Sequence, residues 1–79
     1  MRLDKWLKVS RLIKRRTVAQ EACDGGRVSL NGRTAKPSAE VKGGDVIEIS
    51  FGAKTLRAEV LGVQESVKKD DAAAMYREI

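Results

Sequence analysis

The dipeptide Asn31-Gly32 constrains the fold of this chain more than any other feature. It lies between Arg27-Val28-Ser29-Leu30 and Arg33-Thr34-Ala35. Both central residues of a type I′ turn need positive φ, which Asn tolerates and Gly adopts without steric cost. A β-hairpin is therefore expected here, with Val28 and Leu30 on one face and Ser29 on the other. Pro37 has no N–H to donate and limits further pairing. Gly43-Gly44-Asp45 then turns the chain into Val46-Ile47-Glu48-Ile49-Ser50-Phe51, where Ile47, Ile49 and Phe51 share a face and are expected in the core. Gly52-Ala53-Lys54 turns again, and residues 55–61 supply another strand with Leu56, Ala58 and Val60 inward.

Helical spacing precedes the hairpin. Leu3, Trp6 and Leu7 fall at i, i+3 and i+4, which predicts a helix over 2–9 with Trp6 packed inward. Asp4 sits in its first turn, where the helix dipole favours a carboxylate. Residues 10–13 form a connector, with Leu12 and Ile13 tucked beneath it. Thr17 and Gln20 have capping-box spacing, and Val18, Ala19, Ala22 and Cys23 supply an apolar stripe. A second helix is expected from Thr17, or from Lys14 or Arg15, and Gly25-Gly26 ends it. The order of elements predicts an α+β domain over residues 1–63, in which two N-terminal helices pack on a small antiparallel sheet. Residues 64–79 are read as a tail, where Asp70 or Asp71 caps a short helix over 72–79. Such a helix needs Met75, Tyr76 or Ile79 docked on the body to be stable.

Charge divides the chain unevenly. The first 36 residues carry ten basic and three acidic side chains, a net of +7, whereas the remainder carries six basic and eight acidic, a net of −2. This asymmetry points to a polyanionic partner. There is no His and only one Cys, so neither an internal disulfide nor a His/Cys metal site is available to one chain. No apolar run approaches the roughly 18–20 residues of a membrane span, and the N-terminus lacks the apolar core of a secretory signal. The expectation is a cytoplasmic, monomeric, non-enzymatic binding domain without a cofactor. Asp70-Asp71 and Asp45/Glu48 have no partner pattern suggesting acid–base catalysis.

The candidate site is built around Arg11, Lys14, Arg15 and Arg16, ahead of or inside the first turn of the second helix. Cations oppose the dipole there by roughly 0.3–1 kcal/mol each when exposed. A run of them calls for a compensating anion, and the free N–H groups of the helix start would join these side chains on phosphate oxygens. A solvated basic face is the alternative. Arg2 and Lys5 extend the cluster if the two helices lie side by side, and Arg27, Asn31, Arg33 and Lys36 place further donors around the hairpin. For Asn31 the turn alone is a sufficient explanation. Trp6 and Tyr76 could stack on bases, but the stripe places Trp6 in the core, and only 4% of residues are aromatic. Shaped RNA read through its backbone is therefore expected, rather than single-stranded sequence.

Three segments in order carry a resemblance: Arg2-Leu3-Asp4-Lys5-Trp6-Leu7 with the basic stretch 11–16, then Gly25-Gly26-Arg27-Val28-Ser29-Leu30-Asn31-Gly32, then Lys42-Gly43-Gly44-Asp45-Val46-Ile47. Together they resemble the RNA-binding domain first described in ribosomal protein S4, over about residues 1–50. The resemblance implies an αL motif, with the start of the second helix facing RNA. Among stand-alone members, the first 21 residues and the acidic tail are most similar to the bacterial ribosome-associated quality-control factors. The heat-shock protein 15 group, with its long basic extension, is related. That likeness implies binding of rRNA and tRNA on obstructed large ribosomal subunits. It further implies stabilisation of peptidyl-tRNA while a protein partner adds alanine tails, with Arg2, Arg15 and Arg16 on RNA. Other readings are a general rRNA-binding assembly or heat-shock factor, or a protein-interaction module using Met75, Tyr76 and Ile79.

Overall fold

Turn chemistry and helical spacing settle most of the architecture seen in the computed structural model, which describes residues 1–65 and 68–79. Two helices, α1 (Leu3–Val9) and α2 (Arg16–Asp24), precede β1 (Val28–Leu30), β2 (Arg33–Thr34), β3 (Val46–Phe51) and β4 (Lys54–Val60). A 3-10 helix, Lys69–Met75, leads into β5, Tyr76–Glu78. The strands form one antiparallel sheet in the order β2-β1-β3-β4-β5. Asn31 (φ 52°) and Gly32 (φ 84°) both take positive φ, as the expected hairpin turn requires.

The core lies between the helices and one face of the sheet. Leu3, Trp6 and Leu7 of α1, Ala19, Ala22 and Cys23 of α2, and Val28, Ile47, Ile49 and Val60 of the strands form a single buried cluster. Trp6 is fully buried, and its indole N–H donates to the Gly62 carbonyl at 2.8 Å. The Tyr76 ring stands edge-on to it, with centroids 6.5 Å apart. Trp6 therefore belongs to the core and joins α1 to the segment after β4. Ile13 is buried and Leu12 half-buried, so the connector is anchored from below.

Five local expectations differ from the structure. The 3-10 helix has Lys68 at its N-cap and no side chain closing it, so neither Asp70 nor Asp71 caps it. Phe51 is 47% exposed. It pairs with Lys54 on the last rung of the β3–β4 ladder, beyond the buried pair Ile47 and Ile49. Val18 is 44% exposed because Ala19, Ala22 and Cys23, at i, i+3 and i+4, already make the inward stripe of α2, and Val18 falls beside it. Thr17 is not the cap: Arg15 is the N-cap and no side chain closes it. Residues 76–78 extend the sheet as β5 instead of continuing a helix. There the Met75 carbonyl accepts from Leu61 N–H (2.7 Å) and Gly62 N–H (3.1 Å), and Ile79 N–H donates to Arg57 O. These bonds satisfy the backbone along β4, a gain that a short isolated helix in water lacks.

Candidate nucleic-acid interface

The sheet presents a self-neutralised outer face. Glu48 stands opposite Arg57, with the carboxylate 3.8 Å from the guanidinium, and Glu59 pairs with Arg77. Opposite charges in register across antiparallel strands leave little net field. The uncompensated positive charge lies instead on the helices and on the loops attached to them.

Asp4 organises part of that charge. It is a buried charged side chain, with a relative exposure of 0%. An ionised carboxylate in such a place needs several donors. It receives them from the Lys5 backbone N–H (2.7 Å), from Gln20 Nε2 (2.9 Å), and from Arg2 Nε and Nη2 (both 3.2 Å). Arg16 completes the set: its Nη2 lies 3.4 Å from Oδ1, and its buried Nε sits 3.3 Å from Oδ2 but off the hydrogen-bonding axis. Burial alone would raise the Asp4 pKa. The Gln20 and Arg16 hydrogen bonds, the Lys5 N–H and the Arg16 charge outweigh it, and the pKa falls below its ordinary value. Gln20, placed by its spacing in a capping box, serves this carboxylate instead.

The network fixes two cations at the surface. The side chains of Arg2 and Arg16 remain 52% and 42% exposed, so each guanidinium keeps one edge on Asp4 and offers the other to solvent. Part of the anion required by the basic start of α2 is thus internal. Lys14 and Arg15 are exposed and form no ion pair among the described residues. They flank the start of α2, which has no acidic residue in its first turn and no side-chain cap. Its first N–H groups lack helical acceptors and reinforce the positive potential. Arg11 is exposed in the connector that leads there.

The remaining basic positions are not gathered at this point. Arg27 and Arg33 follow the far end of α2, about 13 Å from its start at 1.5 Å per residue. Both are exposed, as is Lys36. Lys5 is drawn to Glu65, 3.7 Å away. Asn31 is engaged in its own loop: its Oδ1 accepts from Val46 N–H at 2.9 Å, and its Nδ2 donates to Asp45 Oδ1 at 3.1 Å. The candidate surface is therefore a short basic strip at the start of α2, formed by Arg2, Arg16, Arg15 and Lys14. Such a strip can hold a run of backbone phosphates through charge-assisted hydrogen bonds. Asp4 and Gln20 were missed as site-organising residues, since an acid in the first turn of a helix reads as dipole compensation until its burial is known.

The chain is similar to known proteins. Residues 1–47 match the family model of the S4 domain. Over 76 residues, 96% of this chain and 86% of the relative, the sequence is 58% identical to the RQC P-site tRNA stabilizing factor of Streptococcus pneumoniae. It is 54% identical to the protein of the same name from Bacillus subtilis, covering 96% of this chain and 88% of that one. Among solved structures, the trimeric heat shock protein 15 of Vibrio cholerae is similar over 100% of this chain and 81% of its own, with a TM-score of 0.92 and 34% identity.

Proposed function

The chain belongs to the S4 domain family, and from that premise we propose that it is a factor of ribosome-associated quality control. It docks on obstructed large ribosomal subunits and stabilises peptidyl-tRNA in the peptidyl site while alanine tails are added to the stalled chain. The observation that carries this reading is 58% identity, over 96% of the chain, to a protein named for stabilising P-site tRNA. The physical chemistry agrees with it. Holding an RNA in place needs a rigid array of cations matched to phosphates rather than a reaction centre. Arg2 and Arg16 are oriented by Asp4, and Lys14 and Arg15, beside the start of α2, form no ion pair among the described residues. The protein acts as a monomeric binder in the cytoplasm, where its ribosomal partner resides, and a tailing enzyme works beside it.

Affinity purification of the tagged protein, with the bound RNA separated and sequenced, tests the proposal. Large-subunit rRNA together with tRNA still esterified to peptide is the expected outcome. Immature large-subunit particles without tRNA would replace quality control by ribosome assembly, and absence of rRNA would end the reading.

A further inference from the structure

Each helix is followed by one residue in the left-handed conformation, a glycine after α2 and an arginine after α1. At the end of α2, Gly26 takes the left-handed conformation (φ 74°). The N–H groups of Gly26 and Arg27 donate to the Cys23 and Ala22 carbonyls at 3.0 and 2.9 Å, the two bonds of a Schellman motif. At the end of α1 the corresponding position is Arg11, with φ 63°. Its N–H donates to Lys8 O at 3.0 Å, while Leu7 O accepts from Ser10 Oγ and Ile13 N–H, both at 3.1 Å. Glycine is the default residue at such a position because a Cβ is crowded by the backbone.

Nothing local explains an arginine there. Among the described residues, Asn31 is the only other non-glycine with positive φ, and its turn type and side-chain bonds account for it. Four further positive-φ positions are occupied by Gly26, Gly32, Gly44 and Gly52. The Arg11 side chain is exposed and makes no hydrogen bond or ion pair with any described residue. Strained non-glycine backbone of this kind persists where the surrounding structure over-determines it, and it clusters at binding sites. Here buried Ile13 and Ser10, on either side, hold the turn.

We infer that Arg11 is a phosphate-binding residue kept at a glycine position, where it lowers the stability of the fold and adds a fixed charge to the RNA surface. Its ligand is the phosphodiester backbone of RNA. The left-handed turn sets the direction of the Cα–Cβ bond, so the guanidinium leaves a defined point on the connector that carries Lys14 and Arg15 to the start of α2. The inference rests on the RNA-binding reading above and gives Arg11, already among the basic residues of the candidate site, a role that opposes its structural preference.

Three variants separate charge from strain: Arg11→Gly removes both, Arg11→Ala removes only the charge, and Arg11→Lys removes neither. Thermal unfolding and binding to purified bacterial large ribosomal subunits across a salt series are measured for each, beside Arg15→Ala. Arg11→Gly should raise Tm, by up to about 4–8 °C. It should also weaken binding by roughly threefold to tenfold near 0.1 M salt and flatten the log–log salt slope by about 0.7–0.9. Arg11→Ala should bind as weakly without the gain in Tm, and Arg11→Lys should stay near the parent in both. A glycine variant that melts lower, or that binds with unchanged affinity and slope while Arg15→Ala binds weakly, overturns the role of Arg11 alone. Failure of the parent protein to bind the subunits at any salt overturns the RNA-binding reading with it.

Discussion

Gln20 of α2 donates a 2.9 Å hydrogen bond to the carboxylate of Asp4 on α1, so the two helices are joined by a buried acid as well as by apolar packing. The same carboxylate holds Arg2 and Arg16. Stability and the proposed RNA surface therefore share one group.

Replacing Asp4 with Asn keeps the shape and removes the charge. Two half-exposed guanidiniums lose their anchor, and at least one buried polar atom loses its partner. The fold should lose roughly 1–3 kcal/mol, below the cost of breaking a fully buried pair because water still reaches both arginines. The Asp4 pKa is lowered in the folded state. Its contribution is therefore present above the unfolded carboxylate value, near 3.9, and is lost as pH falls through the folded value. Urea unfolding from pH 7 into the acid range should show a loss in the parent that Asp4→Asn lacks over that window. Parallel pH curves for the two proteins would mean that Asp4 is not the group responsible.

Cys23 should be slow to react. Its thiol is buried, and desolvation, aided by the carboxylates of Asp4 and Asp24, pushes its pKa up to about 11. The thiolate is the reactive form, so alkylation at pH 8 should run far below the rate of a free cysteine and recover in urea. Because the folded pKa is raised, this term is complete below the unfolded thiol value, and stability should decline as pH climbs from there towards about 11. Rapid labelling of the native protein at pH 8 would contradict the buried, neutral thiol.

Asn31 should matter first to folding. Its side chain bonds Val46 N–H and Asp45, and its backbone has φ 52°. Asn31→Ala removes both bonds and puts a Cβ that lacks a compensating polar tip into the left-handed region. A loss of about 1–2 kcal/mol is expected in chemical denaturation. Asn31→Gly, which relieves the backbone, should lose less. A stable Asn31→Ala protein with weakened ribosome binding would instead assign the amide to RNA.

Much of this molecule is legible in its sequence, and the exceptions have physical causes. Leu3, Trp6 and Leu7 announce α1 by spacing, and Asn31-Gly32 announces the hairpin by its φ requirement, because both signals are local. Gly25-Gly26 likewise marks the end of α2, with Gly26 as the left-handed residue. Phe51 follows the strand alternation, but its exposure depends on how far the helices reach over the sheet, which no local pattern encodes. The strand at Tyr76–Glu78 depends on a partner, β4, about twenty residues away. Asp4 is the main omission in the site: whether a carboxylate in a first turn faces solvent or a neighbouring helix is decided by the α1–α2 packing. The basic cluster itself was readable as composition, but its division into Arg2 and Arg16, anchored on Asp4, and Lys14 and Arg15, with no ion pair among the described residues, was not.

That division identifies the most direct test of the central claim. Arg16 both faces solvent and supports Asp4, so its removal mixes binding with stability. Lys14 and Arg15 are exposed and unpaired among the described residues. The measurement is co-sedimentation of the Lys14→Ala/Arg15→Ala protein and its parent with large ribosomal subunits carrying peptidyl-tRNA, across a salt series. The account predicts an unchanged Tm, weaker binding, and a salt slope flatter by about 1.4–1.8 for the two lost phosphate contacts. Equal affinity and equal slope for the two proteins, with the fold intact, would contradict it.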